Sequence, residues 1–178
     1  MITTTQKINV KYINTLPVVC TIEYDDYNDN PLTWTTPSER GCWYILSHKN
    51  YELPNELDIN FDDYSSWKEL VDKNIKNNQV YKFVNWYEHG NISISLTDNP
   101  NSRDFDSGIV GVIIADSMEE LNASFLDYKA HIQGDLYRYL LTDANGNTID
   151  ACGGYLDIQA IYDELSEYEN IQFKGINE

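Results

Sequence analysis

The 178-residue sequence predicts an α+β protein with a twisted, mainly antiparallel sheet and about three helices packed on it. Short β-rich apolar runs dominate the first half, whereas helical spacing of apolar residues begins at Trp67 and returns twice further along the chain. The pair Asn145-Gly146 lies between two β-rich runs and indicates a hairpin, because both residues tolerate positive φ. The length predicts a single domain over residues 1–178, with a soft boundary near residue 78.

Local patterns place the individual elements. Strands are predicted over residues 7–14, 18–24, 42–47, 79–86, 92–96, 109–115, 136–141, 148–152 and 171–173. Helices are predicted over residues 67–74, 118 to about 132, and about 156–168. The first two helices each follow a capping box, formed by Ser66 with Glu69 and by Ser117 with Glu120. Gly153-Gly154 is predicted to end the return strand of the hairpin.

The charge balance is strongly acidic, with 29 Asp and Glu residues against 12 Lys and Arg residues and a net charge of -17. Residues 1–97 hold 13 acids and eight bases, whereas residues 98–178 hold 16 acids and four bases. A protein that binds nucleic acid directly needs Lys and Arg to displace counterions, so the charge balance disfavours that class. Attachment to an anionic membrane surface is disfavoured for the same reason.

Cysteine usage and the absence of a leader pattern predict a reducing cytoplasm. Three widely spaced cysteines do not form a disulfide framework, so all three thiols are expected to be free. The first seven residues lack a charged segment followed by an apolar stretch, and no apolar run approaches the length of roughly 18 residues that a transmembrane helix needs. We therefore expect neither a signal peptide nor a membrane span.

The third predicted helix carries an acidic face. Four carboxylates fall opposite the apolar stripe and no base lies among them: Asp157, Asp163, Glu164 and Glu167. Ten helical residues rise about 15 Å, and one DNA strand carries a charge about every 3.4 Å. The face therefore matches one strand in linear charge density, which predicts contact with a basic groove on a partner protein. The alternative is an ordinary solvated face.

Two acidic loops extend the predicted partner surface. Asp25 and Asp26 belong to the first loop, and Asp62 and Asp63 to the second. Tyr and Phe residues are interleaved with these acids, a composition typical of anchoring patches at protein interfaces. The alternative is that the aromatic side chains cover the core and the loops have no further role.

No metal or cofactor site is predicted. The pattern Asp143-x-Asn145-x-Asn147-x-x-Asp150 offers oxygen ligands at alternating positions, as a calcium loop does. Such a loop needs Gly at its sixth position and Glu at its twelfth, whereas Gly146 is fourth here and Gly154 is twelfth. A hairpin turn is therefore the favoured interpretation.

Nucleophilic catalysis has a single candidate, Cys152, with His48, His89 and His131 as conceivable bases. An acidic environment raises the pKa of a thiol and disfavours the thiolate, so Cys152 is interpreted as a structural residue. His89 is interpreted as a turn residue between two strands. We therefore assign no catalytic residue and expect that the protein is not an enzyme.

Three stretches suggest an origin on a mobile element. They are residues 87–95 (YEHGNISIS), 106–113 (DSGIVGVI), and 134–139 (GDLYRY) followed by 150–152 (DAC). Their order resembles a group of uncharacterised accessory proteins that phages, plasmids and integrative elements of low-GC bacteria carry. The resemblance covers roughly residues 80–155 and implies no chemistry. By analogy with small acidic proteins of such elements, it implies an anti-CRISPR or antirestriction inhibitor.

The resulting functional prediction is an acidic inhibitor of a nucleic-acid-binding defence effector, such as a CRISPR effector or a restriction enzyme, in the cytoplasm of a bacterial host. The inhibitor would occupy a basic nucleic-acid groove by charge mimicry, without a cofactor. Two alternatives stay open. One is a non-enzymatic interaction or regulatory module for another protein partner, and the other is a small nuclease or a thiol hydrolase that uses Cys152.

Overall fold

A computed structural model describes residues 18–25, 29–167 and 171–174, with the side chains of Asp104, Glu167 and Lys174 left out. The predicted α+β class, with mainly antiparallel strands, is confirmed. The chain forms two compact units. The terminal unit comprises residues 1–29 and 134–178, and the central unit comprises residues 30–133. Each unit has its own sheet, and residue 78 lies inside the central unit.

The elements follow one another in this order: β1 Val18–Tyr24, α1 Pro37–Arg40, β2 Cys42–Leu46, α2 Trp67–Asn74, β3 Val80–His89, β4 Asn91–Thr97, β5 Arg103–Asp104, β6 Ser107–Ala115, α3 Met118–Gln133, β7 Tyr137–Thr142, β8 Thr148–Tyr155, α4 Ile158–Glu164 and β9 Ile171–Lys174. Single turns of 3-10 helix cover Pro31–Thr33, Phe61–Asp63 and Leu165–Glu167. The predicted strand over residues 7–14 lies outside the described residues. No helix in the described ranges is long and apolar enough to cross a membrane.

The sheet of the central unit has the strand order β2-β6-β3-β4, with β5 paired to β6, and all of these pairs are antiparallel. Both of its faces are covered. Tyr44 of β2 packs into a core cluster with Phe125 of α3, whereas the next residue, Ile45, packs into a second cluster with Leu70 of α2. Burial on both faces explains why the segment CWYIL shows no alternation of apolar and polar residues.

Serine caps start the two long helices of the central unit, as the sequence predicts. The Ser66 hydroxyl accepts a hydrogen bond from the Glu69 amide at 3.2 Å, and Ser117 does the same for the Glu120 amide at 3.2 Å. The Glu69 carboxylate, however, accepts from the amide and the hydroxyl of Ser65, at 2.8 and 2.6 Å. The reciprocal bond of that capping box is therefore displaced by one residue.

The sheet of the terminal unit has the strand order β8-β7-β1-β9, in which β1 and β9 are parallel and the other neighbours are antiparallel. Helix α4 contributes Ile161 to the core of this unit. The prediction that Gly153-Gly154 ends the return strand is wrong, because β8 continues to Tyr155, which pairs with Tyr137. Gly154 has a φ of 81°, and the glycines accompany a register shift rather than a strand end.

Candidate functional site

The start of α4 carries the first of the predicted partner-binding residues. Asp157 has extended backbone angles, and its carboxylate accepts a hydrogen bond from the Ala160 amide at 2.8 Å. It therefore acts as the N-cap of α4, where a negative charge also complements the helix dipole. Asp163 is exposed near the other end of the helix and accepts a hydrogen bond from the Gln159 side-chain amide at 2.8 Å.

Glu164 does not lie on the opposite face from the sheet, which corrects the predicted pattern. Its carboxylate accepts hydrogen bonds from the hydroxyls of Tyr155, at 2.5 Å, and Tyr139, at 3.4 Å. Asp150 is the closer acceptor for the single Tyr139 hydroxyl proton, at 3.0 Å, so the contact of Tyr139 with Glu164 is the weaker one. Tyr139 is almost fully buried, so its hydroxyl needs such partners. Burial first, and the hydrogen bond to Asp150 second, raise the pKa of the Tyr139 hydroxyl and keep it neutral.

The α4 acidic cluster, as we call Asp157, Asp163 and Glu164, is shorter than the predicted array. Helix α4 has seven residues, a rise of about 10 Å, and a 3-10 turn follows it. A ten-residue ladder of charges therefore does not form. The hydrogen-bond donors described for these three carboxylates are amides and phenols. These neutral groups orient the carboxylates without cancelling their charge.

The other predicted partner-binding residues are distributed over both units. In the terminal unit, the Asp25 carboxylate accepts a hydrogen bond from the Gly154 amide at 2.9 Å and thereby holds β8. Asp26 lies outside the described residues, and the side chain of Glu167 is likewise not described. Asp62 and Asp63 are exposed in the 3-10 turn Phe61–Asp63 of the central unit. Among these residues, the α4 acidic cluster is the larger set, and the 3-10 turn brings together only Asp62 and Asp63.

In the turn between β7 and β8, which resembles a calcium loop in sequence, the Asp143 carboxylate oxygens accept hydrogen bonds from the turn itself. The Asp143 carboxylate accepts hydrogen bonds from the amides of Asn145 and Asn147, both at 2.8 Å, and from the side-chain amide of Asn147 at 2.9 Å. These bonds lower the pKa of Asp143, those to Asn147 being the largest contribution. Within the described residues, no group of His, Cys, Asp and Glu side chains is arranged to hold a metal ion.

Calcium is expected to leave the melting temperature unchanged, because the Asp143 oxygens already have protein donors and a ligand stabilises only the state that binds it. Differential scanning fluorimetry with and without about 1 mM calcium measures this, a concentration at which weak extracellular-type sites are filled. A rise of several degrees that disappears in an Asp143→Ala variant would contradict the hairpin-turn interpretation.

The three cysteines are free but differ in accessibility. Cys20 and Cys42 are buried, and burial raises the pKa of each thiol to about 12. Cys152 is exposed on β8. The three histidines all lie in the central unit, so the terminal unit that holds Cys152 contains no imidazole base.

One thiol is expected to react with a thiol reagent in the native protein at about pH 8, and three after denaturation. Cys152 is the accessible thiol, whereas the two buried thiols are both shielded and fully protonated at that pH. The Cys152→Ser variant is the control, and in its native state no thiol should react rapidly with the reagent. Two or more fast thiols in the wild type would show that a buried cysteine is accessible.

A second arrangement, which the sequence analysis missed, lies in the central unit. His48 stacks on Trp86, with ring centroids 5.4 Å apart, and Tyr51 contacts both rings. The Tyr51 hydroxyl donates to the Glu88 carboxylate at 2.6 Å. His89, predicted as a turn residue, ends β3 and lies 3.0 Å from Asp106, measured from Nδ1 to Oδ2.

All of these residues except Tyr51 line a groove of about 1180 Å³, which we call the central groove. Its walls come from the end of β3, the start of β6, residues 47–50, Trp67, and residues 100–103 with 105–106. Two stretches that the sequence analysis singled out, 87–95 and 106–113, contribute to this groove. Residues near the start of each stretch line it, and His89 of the first contacts Asp106 of the second.

Comparisons of the chain with protein-family models, with curated proteins and with solved structures found no match. The resemblance to mobile-element proteins therefore stays a prediction, and the functional argument rests on the geometry of the two units.

Proposed function

We propose that the protein is a non-enzymatic inhibitor that binds a basic nucleic-acid groove of a host defence effector, in the cytoplasm of a bacterial host. The observation that carries the proposal is the α4 acidic cluster, whose carboxylates are oriented by neutral donors. The terminal unit around the cluster holds 13 acidic and four basic residues, a net charge of -9 over 74 residues. The central unit has a net charge of -8 over 104 residues.

Neutral donors make these carboxylates suitable for binding a cation. A surface carboxylate that is already paired to Lys or Arg must give up that ion pair when it binds a cation of the partner. The exchange therefore adds little to the binding free energy. A carboxylate held by a backbone amide or a phenol keeps its charge and loses less side-chain freedom on binding. The α4 acidic cluster therefore offers preorganised negative charge to Lys and Arg of a partner.

The class of partner follows from charge complementarity. A groove that binds nucleic acid is lined with Lys and Arg, and an acidic surface both approaches it rapidly and competes with the nucleic acid. CRISPR effectors and restriction enzymes have such grooves, and the mobile-element resemblance supplies a setting in which inhibiting them would be selected. Because α4 has only seven residues, we expect it to contact a short part of the groove rather than to replace a long stretch of a DNA strand.

The proposal is tested by capture and competition. Tagged protein is incubated with lysate of a low-GC host that expresses restriction and CRISPR systems, and captured effectors are then purified and assayed for nucleic-acid cleavage. We expect inhibition that weakens between about 50 and 300 mM salt, because screening shortens to below 10 Å over that range. Added DNA or RNA should release the effector. Binding that is indifferent to both salt and nucleic acid would reject mimicry in favour of an apolar interaction module.

A further inference from the structure

An aromatic side chain stands at the tip of a hairpin in the central unit. Strand β5 pairs with the start of β6, so Phe105 and Asp106 form the turn between them. The Phe105 side chain is fully exposed, whereas the next most exposed large apolar side chain in the described residues, Trp34, is 57% exposed. Turns of this length usually hold Gly, Asn or Asp, and an exposed Phe contributes nothing to packing within one copy of the chain.

Two contacts anchor this turn to β3. The Glu88 backbone amide donates to the Asp106 carbonyl oxygen at 3.0 Å, and the Asp106 carboxylate lies 3.0 Å from Nδ1 of His89. The turn is therefore ordered before anything binds to it, so docking of the Phe105 side chain costs little further backbone entropy.

A pocket of about 580 Å³ lies beside the central groove, and we call it the aromatic pocket. Its apolar lining residues are Phe61, Tyr64, Trp67, Leu70 and Pro100. The rings of Phe61 and Trp67 meet edge to face with centroids 5.4 Å apart, and the Asn74 side-chain amide donates to the Tyr64 hydroxyl at 3.1 Å. The pocket is therefore preformed, and its lining suits a further aromatic ring.

The pocket and the hairpin tip have opposite charge. Among the described residues that line the aromatic pocket, Lys68 is a cation and none is an acid. The tip segment 103–106 (RDFD) has a net charge of -1, with an Asp on each side of Phe105. The ion pair of Lys68 with Asp72 is exposed, so Lys68 can turn towards another carboxylate at little cost. The aromatic pocket therefore complements the acidic tip in charge as well as in apolar character.

The pocket and the tip are also neighbours on the surface of the central unit. Four residues line both the aromatic pocket and the central groove, namely Ser47, Trp67, Pro100 and Asn101, and Phe105 lines the central groove. In a two-fold dimer the same surface patch of each copy meets the other. A projection and a recess that lie side by side in such a patch can therefore be exchanged reciprocally between two copies.

We propose that the protein forms a weak two-fold dimer in which Phe105 of each copy inserts into the aromatic pocket of the other. Two inserted rings and the two walls that receive them bury roughly 800 Å², at about 200 Å² for each aromatic surface. Stable interfaces bury at least about 1,200 Å², so we expect a dissociation constant on the order of 10–100 µM. The residues that carry this proposal all lie in the central unit, and it does not depend on the inhibitor function proposed for the terminal unit.

Sedimentation equilibrium of the full-length protein, over a concentration range that brackets this dissociation constant, measures the dimer. We expect the mass to approach twice 20.6 kDa at high concentration. The dimer should tighten several-fold between about 50 and 300 mM salt, because screening of the repulsion between two copies of net charge -17 outweighs the loss of the local attraction to Lys68. Effector binding is expected to weaken with salt, so the two proposals fail independently. A monomer at every concentration and at both salts overturns the dimer.

Variants test the two halves of the contact. Phe105→Ser removes the inserted ring and should raise the dissociation constant at least about tenfold. The matched control Leu126→Ser removes an exposed apolar side chain of α3 that lines neither the groove nor the aromatic pocket, and it should dimerise like wild type. Both side chains are exposed, so both variants should fold. Unchanged dimerisation of Phe105→Ser, or an equal loss in Leu126→Ser, would contradict the proposal.

The pocket is tested by charge. Lys68→Glu should weaken the dimer several-fold more than Lys76→Glu, which changes the net charge equally at an exposed position that does not line the pocket. If the two charge variants dimerise equally well, the aromatic pocket is not the receptor for the hairpin tip.

Discussion

Reversing the charges of Asp163 and Glu167 together, by Asp163→Lys with Glu167→Lys, is expected to weaken binding to the captured effector at least tenfold at low salt. Two attractions become two repulsions against a basic groove, and each close charge pair contributes about 1 kcal/mol even in water. Stability should change little, because Asp163 is exposed and its described partner is the Gln159 side chain. Surface plasmon resonance at about 50 and 300 mM salt measures the loss, which should shrink as screening increases.

The controls separate a local contact from net charge. The pair Asp116→Lys with Glu119→Lys changes the net charge by the same amount at exposed positions in the central unit, and we expect a much smaller loss of affinity. Glu164 is left unchanged in the test variant, because removing its carboxylate would leave the hydroxyls of Tyr139 and Tyr155 with fewer acceptors. Equal losses in the two double variants would show that net charge alone, rather than the region of the α4 acidic cluster, drives binding.

Elements with strong local signals could be predicted from the sequence almost to the residue. Strand β1 and helix α2 have the predicted limits, 18–24 and 67–74, because a β-branched run and a serine cap with an apolar stripe are properties of neighbouring residues. The third helix was predicted too long. The amide of Leu165 bonds to the carbonyls of Ile161 and Asp163, and the chain tightens into a 3-10 turn in which Leu165 is buried.

The division into two units could not be predicted from local patterns. Residues 18–21 of β1 pair in parallel with residues 171–174 of β9, so segments that precede and follow the central unit in the sequence belong to one sheet. Parallel pairing across such a separation is decided by the core that both strands share, not by the sequence of either strand. Single-sequence reasoning had no means to find that partner.

The acids of the candidate site were visible in the sequence, but their partners were not. Helical periodicity placed Glu164 away from the sheet. Its side chain is exposed, yet its carboxylate contacts the hydroxyls of Tyr155 on β8 and of Tyr139 on β7, 25 residues away. A buried hydroxyl needs a hydrogen-bond acceptor, and this need determines where the Glu164 carboxylate lies. Helical periodicity at 100° per residue contains no information about such a partner. The central groove was missed for a related reason, since four separate stretches of the chain build it.

A large loss of stability is expected from the smallest substitution in the central sheet, Gly111→Ala. Gly111 lies in β6, which pairs with β2 on one side and β3 on the other, opposite Leu46 and Val84. A Cβ atom at this position would overlap the Ile45 carbonyl oxygen and the backbone of Leu46. Relief requires β2 to move away from a strand in the middle of the sheet, so we expect a destabilisation of about 3 kcal/mol or more.

A matched control lies on the same strand. A Cβ atom at Gly108 meets no atom within 4 Å, and the backbone there has no positive φ, so Gly108→Ala should change the free energy of unfolding by less than about 0.5 kcal/mol or raise it slightly. Urea unfolding followed by tryptophan fluorescence reports on the central unit alone, because all four tryptophans lie in it. If Gly111→Ala proved as stable as Gly108→Ala, the close approach of β2 to β6 would be wrong, and with it the register Leu46 to Gly111 that positions residues 47–50 on the wall of the central groove.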